Sequence, residues 1–214
     1  MIVSKARGYV FVHIPKTGGT SLTLALEGRA AKDDIIIGDT PKARQRRKRL
    51  DDLTPKGRLW KHSTLADIDG IVNREELDEM FCFTLVRNPW DRAVSYYHWL
   101  REQSFDHPAV VLSKSFEFEV FLRHPDTVRA FRNSPSAFYM VDANGVERCD
   151  AYVRIEHLSQ DLKPLEAHLG FDLAVGHVNG SERGNDYRRY YDDALAEFVG
   201  ALSAEDVARF GYGF

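Results

Sequence analysis

Three apolar runs, each ending in a turn and followed by a helix-like segment, predict an α/β fold: a mostly parallel sheet with helices on both faces and a P-loop-like nucleotide-binding core. The runs are 9–14 (YVFVHI), 81–86 (FCFTLV) and 151–155 (AYVRI). A second observation is the turn Pro15-Lys16-Thr17-Gly18-Gly19 behind the first run, opening onto Thr20 and Ser21. It reads as a loop and helix N-terminus able to hold a phosphate-like anion. In such a sheet ligands sit at the carboxyl ends of the strands, where the turns after the first two runs both fall. The third observation is size. With 214 residues, 43% hydrophobic and 29% charged, the chain suffices for one well-buried core, so a single domain over 1–214 is expected.

Residues 9–14 suit a buried central strand that Pro15 stops. Residues 20–26 carry Leu22, Leu24, Ala25 and Leu26, a helix with its apolar side on the sheet, which Gly28 can end. Residues 42–49, KARQRRKR, hold six basic side chains in eight without apolar periodicity. This predicts a solvated helix or mobile loop, with docking of an acidic substrate as the alternative; at a net charge of -3, a nucleic-acid patch is a weak reading. Residues 59–63 form a short strand or turn, and 73–80 a helix with Asn73 as N-cap and acids in its first turn. The 81–86 strand runs into Arg87-Asn88-Pro89, and Asp91 is the expected N-cap of a helix through Trp99 or Leu100. Residues 116–122 read as a core-facing helix, although the alternation at their start also fits a strand, and 138–141 with 146 onward as a hairpin about Asn144-Gly145. The 151–155 strand leads to a helix over 159–169 closed by Gly170. Helices over 192–199 and 204–210 follow, the second with Ser203 and Asp206 at capping-box spacing.

Cys82 and Cys149 match no metal-ligand spacing and read as buried reduced thiols. No run reaches the roughly 20 apolar residues of a membrane span, and the start lacks a signal-peptide design. A cytoplasmic protein without membrane or nucleic-acid partners is expected.

A transferred phosphoryl or sulfuryl group needs closely approaching backbone donors, permitted by Gly18 and Gly19, and a cation near the leaving oxygen, which Lys16 supplies. Thr17, Thr20 and Ser21 add hydroxyls. The kinase pattern G-x-x-x-x-G-K-[ST] is absent, because Lys16 precedes the glycines. A magnesium-dependent phosphotransferase also needs an acid at a neighbouring strand end, and the 81–86 strand ends in Arg87. Arg87 and, eight residues on, Ser95 can converge on a second anion. Two anion sites and no metal are therefore predicted.

HIPKTGGTS at 13–21 followed by LVRNPWDRAVSYYHW at 85–99 resembles the sulfotransferases that use 3′-phosphoadenosine 5′-phosphosulfate (PAPS), in particular their carbohydrate-modifying branch. YVRIEHL at 152–158 and NGSERGNDYRRYY at 179–191 extend the resemblance over most of the chain. It implies that Lys16 contacts the phosphosulfate and offsets charge on the leaving phosphate, with Thr17, Gly18, Gly19, Thr20 and Ser21 completing the loop. It assigns Arg87 and Ser95 to the 3′-phosphate, with Arg183 as a later basic residue near it. It also implies an in-line displacement in which an acceptor hydroxyl or amine, on a glycan, attacks sulfur and releases 3′,5′-bisphosphoadenosine (PAP). His62, in WKHSTLADI, is then the general base, with His13 and Glu156 as the other candidates. The first strand begins within ten residues of Met1, so a soluble bacterial member is expected rather than an anchored Golgi-type enzyme. Residues 29–58 and 103–150 are the expected sources of the acceptor pocket. Two alternatives stand beside this reading: an ATP-dependent P-loop kinase, and a catalytically silent protein that binds a nucleotide or sulfated ligand.

Overall fold

Five strands pair in the order β3-β1-β2-β4-β5 in the computed structural model, which describes residues 1–176 and 186–214. They are β1 (Ile2–Ser4), β2 (Tyr9–Val12), β3 (Ile35–Ile36), β4 (Phe81–Val86) and β5 (Ala151–Arg154). β2, β4 and β5 run parallel, with Val12 opposite Thr84 and Val86 opposite Arg154. These are the three expected strands. β1 pairs antiparallel with both β2 and β3, two additions too short to leave a pattern in the sequence.

The chain forms two compact units, one from Met1–Val86 with Ser136–Asn179, the other from Arg87–Pro135 with Gly180–Phe214. The first holds the sheet, and successive side chains of a strand supply opposite faces. Val10, Val12 and Cys82 join Ile14, Leu65, Ile68 and Met140 on one side. Tyr9, Phe11, Phe83, Leu85 and Val153 join Leu22, Leu26 and Leu165 on the other. Burial on both faces is why these strands read as continuous apolar runs. Because β2 and β4 are parallel, their carboxyl ends lie on one side of the sheet. There the chain continues into 13–18 after β2 and into 87–88 after β4.

Several local expectations change. The basic run forms a helix, Pro41–Arg46, capped by Thr40, and then a 3₁₀ turn, Arg47–Leu50. Three of its cations are engaged by backbone: Arg46 donates to the carbonyls of Ala31 (2.9 Å) and Asp34 (3.2 Å), Lys42 to Glu27 and Arg49 to Lys32. They add donors to carbonyls at the end of the Gly19–Gly28 helix and in the turn that follows it. Asn73 caps Arg74–Glu79 through a full capping box with Glu76, as predicted. The expected hairpin shrinks to one bridge, Val141 to Glu147, because residues 136–140 form a helical turn, Ser136–Met140. The 159–169 helix is two pieces, Leu158–Asp161 and Lys163–Leu169, the second with proline in its first turn and Gly170 at its end.

The second unit is helical. Trp90, Ala93, Val94, Tyr97 and Leu100 of the Pro89–Arg101 helix pack with Phe121, Leu122, Leu195 and Val199. Trp90 Nε1 donates to the Ala196 carbonyl at 2.8 Å. The cap of this helix is Asn88, which accepts from the backbone N–H groups of Trp90 and Asp91, and not Asp91 itself. Pro89 has no N–H to satisfy and belongs at the first helical position, which places the cap one residue before it. At the other end of this unit Ser203 precedes Ala204–Phe210 without a side-chain cap bond, so the expected capping box does not form.

Candidate active site

β2 ends at Val12, and the next six residues build a loop whose shape depends on two left-handed positions. Lys16 has φ 66° and Gly18 φ 80°, Lys16 being the only non-glycine with positive φ among the described residues. Holding a lysine there costs roughly 1–2 kcal/mol. Such strain gathers where a loop serves a ligand. Thr17, buried, braces the turn by donating from Oγ1 to the Ile14 carbonyl at 2.9 Å. The Gly19–Gly28 helix begins at Gly18 with no side-chain cap, the arrangement in which a bound anion takes the cap's place.

The glycines are set by what lies beneath them. A Cβ at Gly19 would sit 2.3 Å from His13 Cδ2 and 2.4 Å from its Nε2, and one at Gly18 would sit 3.0 Å from Ile155 Cδ1. The loop therefore rests on the His13 ring, which is 5% exposed. Burial holds the pKa of His13 well below the ordinary histidine value. His13 is a support for the loop.

His62 reaches the same strand end from the 59–63 turn. Its Nδ1 lies 2.7 Å from the His13 carbonyl oxygen, and the two imidazoles meet edge to face at 4.9 Å. A carbonyl oxygen only accepts, so Nδ1 carries the proton and Nε2 keeps its lone pair. Burial lowers the His62 pKa to about 4, with the carbonyl bond offsetting part of that shift. At neutral pH this imidazole is an oriented, uncharged proton acceptor. Glu156 is exposed, and Arg154 forms an ion pair with Asp161 at 2.8 Å.

In the second unit Arg87 is held by Asp91, Nη2 to Oδ2 at 2.5 Å and Nε to Oδ2 at 2.7 Å. Ser95, 8% exposed, lies four residues beyond Asp91, on the same helix face. Arg183 lies outside the described residues.

Residues 1–124 match the model of the family described as Sulfotransferase family, more than half of the 214 residues. The chain belongs to the sulfotransferase family. The matched stretch contains Lys16, His62, Arg87 and Ser95. No curated protein matches the sequence significantly. Among solved structures the chain is similar to mouse sulfotransferase SULT7A1 complexed with PAP, at 16% identity and a TM-score of 0.48, covering 95% of this chain and 85% of that one.

The donor set of this sulfotransferase's loop suits a phosphosulfate: a lysine in a strained turn, a hydroxyl-rich segment and an uncapped helix start. Among the described residues no group of three or more His, Cys, Asp or Glu side chains is placed to hold a metal ion. No helix there is long and apolar enough to cross a membrane. Two features stand outside the sequence-based expectations: the support role of His13 and the pairing of Arg87 with Asp91. The second was legible as an i, i+4 pair.

Proposed function

We propose that the acceptor is a hydroxyl or amine of a carbohydrate, that the reaction runs in the cytoplasm, and that 1–214 works as one sulfotransferase domain. Lys16, Thr17, Gly18, Gly19, Thr20 and Ser21 hold the phosphosulfate, Arg87 and Ser95, with Arg183, hold the 3′-phosphate, and His62 is the general base. PAPS supplies an activated sulfuryl group. As the acceptor oxygen bonds to sulfur, its proton passes to His62 Nε2. The S–O bond to phosphate breaks, and its electron pair stays on the phosphate oxygen, where Lys16 offsets the charge. In this reading the positive charge comes from side chains and not from a metal. The two free thiols, Cys82 and Cys149, support a reducing compartment.

The observation that carries the assignment is the bond from His62 Nδ1 to the His13 carbonyl at 2.7 Å. It leaves a neutral Nε2 at the strand end that bears the loop, which favours catalysis over silent ligand binding. The nucleotide assignment is tested by Arg87→Ala. PAP binding, measured by calorimetry, should weaken by about tenfold or more, the scale of a lost charged hydrogen bond, while ADP binding changes little. Equal losses for both nucleotides would contradict a 3′-phosphate role for Arg87.

A further inference from the structure

One amide side chain links the residue that grips Arg87 to the 211–214 segment. Asn88 is 7% exposed. Its Oδ1 accepts from the backbone N–H groups of Trp90 (3.1 Å) and Asp91 (3.3 Å), and its Nδ2 donates to the Gly213 carbonyl (3.0 Å) and to the Tyr187 hydroxyl (3.3 Å). Backbone N–H groups need an acceptor and a carbonyl needs a donor, so these partners fix which way the amide faces. Residues 211–214, GYGF, are shaped for this contact. Gly211, at φ 65°, ends the Ala204–Phe210 helix in the left-handed conformation, and Tyr212 N donates to the Val207 carbonyl at 3.1 Å as the chain leaves the helix. The Phe214 ring then lies among Trp90 (5.7 Å), Tyr191 (5.4 Å) and Tyr187 (6.1 Å). Tyr191 in turn donates its hydroxyl to the Trp90 carbonyl at 2.8 Å.

Capping the Pro89–Arg101 helix needs only the side-chain oxygen of residue 88, which serine or aspartate would also supply. Asparagine adds a neutral donor, and that donor reaches Gly213 and Tyr187. A line of contacts results: Gly213 holds Asn88, Asn88 holds the backbone of Asp91, and the Asp91 carboxylate holds the Arg87 guanidinium. A guanidinium already fixed before the ligand arrives loses less freedom on binding it. Resting on the reading of Arg87 as a 3′-phosphate ligand, we infer that Asn88 and Phe214 are positioning residues that hold Arg87 ready for that phosphate. Phe214 packs the 212–214 segment against Trp90, Tyr187 and Tyr191, and Asn88 passes the anchorage to the Arg87 turn. Neither side chain touches the nucleotide. A nucleotide without a 3′-phosphate gains nothing from the anchorage, so its effect falls on the choice between PAP and ADP.

The test is calorimetric titration of the full chain with PAP and with ADP, in wild type, Asn88→Ser, Phe214→Ala and the double variant. Serine keeps a capping oxygen and adds no charge beside Arg87 but removes the Nδ2 donor. Phe214 is 43% exposed, so its truncation leaves the buried core intact. Each single variant should lose about threefold to tenfold in PAP affinity, the scale of one hydrogen bond, with ADP affinity nearly unchanged. The double variant should lose no more than the larger single loss, because both substitutions break the same line of contacts. A merely structural anchor would lower thermal stability and shift both nucleotides alike. A ratio of PAP to ADP affinity that does not fall in either single variant, or additive losses in the double variant, would therefore overturn the inference. Arg87→Ala separates the two levels. Equal losses of PAP and ADP in that variant, or failure of wild type to bind PAP, sink the 3′-phosphate reading and this inference together. A PAP-selective loss in Arg87→Ala with an unaltered ratio in Asn88→Ser sinks the positioning role alone.

Discussion

Sulfuryl transfer should fall by a factor of about 10²–10⁴ when His62 is replaced by alanine or glutamine, with PAP binding retained, because the variants lose the proton acceptor and its Nδ1 bond to the His13 carbonyl but none of the loop residues. The pH profile carries a second signature. Burial lowers the His62 pKa to about 4, so the acidic limb of kcat/KM should fall near pH 4 and not near the ordinary histidine value of about 6.5. Folding is linked to the same shift. Between about pH 6.5 and 4 the unfolded chain binds protons that the folded His62 and His13 refuse, so stability declines as the pH is lowered through that window. Circular dichroism at each pH separates loss of fold from loss of catalysis. Unchanged turnover in His62→Ala, or an acidic limb near 6.5 that persists in the variant, would remove His62 from the mechanism.

Gly19→Ala should be nearly as damaging, through shape. The new methyl carbon would lie 2.3 Å from the His13 ring, which is buried, packed on Phe11 at 6.0 Å and against His62 at 4.9 Å. The ring has little room to retreat. Overpacking of this kind costs about 1–3 kcal/mol, and displacing the loop should abolish stabilisation by PAP. Gly19→Ala combined with His13→Ala removes the obstacle and should recover part of the lost stability, a coupling of about 0.5–3 kcal/mol in denaturant titrations. Strict additivity of the two substitutions would show that the loop does not rest on His13.

The parts of the fold legible in the sequence were those with one physical cause. β2, β4 and β5 announce themselves because both faces of the sheet are covered, which leaves uninterrupted apolar residues. β1 and β3, at three and two residues, carry too little pattern, and their pairing is a tertiary outcome. The turn around Asn144-Gly145 is real, with Gly145 at φ 78°, yet Phe138 belongs to a helical turn that a short apolar run does not distinguish from a strand. The basic run was readable as polar but not as a set of donors for carbonyls at 27–34, which come near only once the chain is folded. The turn at 15–19 and the helix start behind it are readable from residue type and order alone. The tautomer of His62 was not, since a carbonyl 49 residues away sets it.

The central claim, a loop built for the phosphosulfate end of a nucleotide whose 3′-phosphate is bound separately, is tested most directly by thermal unfolding of the wild-type chain with PAP or ADP, both without magnesium. At 100 times its dissociation constant a ligand adds about 2.7 kcal/mol of stability. The account predicts stabilisation of that size by PAP at concentrations where ADP has little effect. Equal or greater stabilisation by ADP would contradict it.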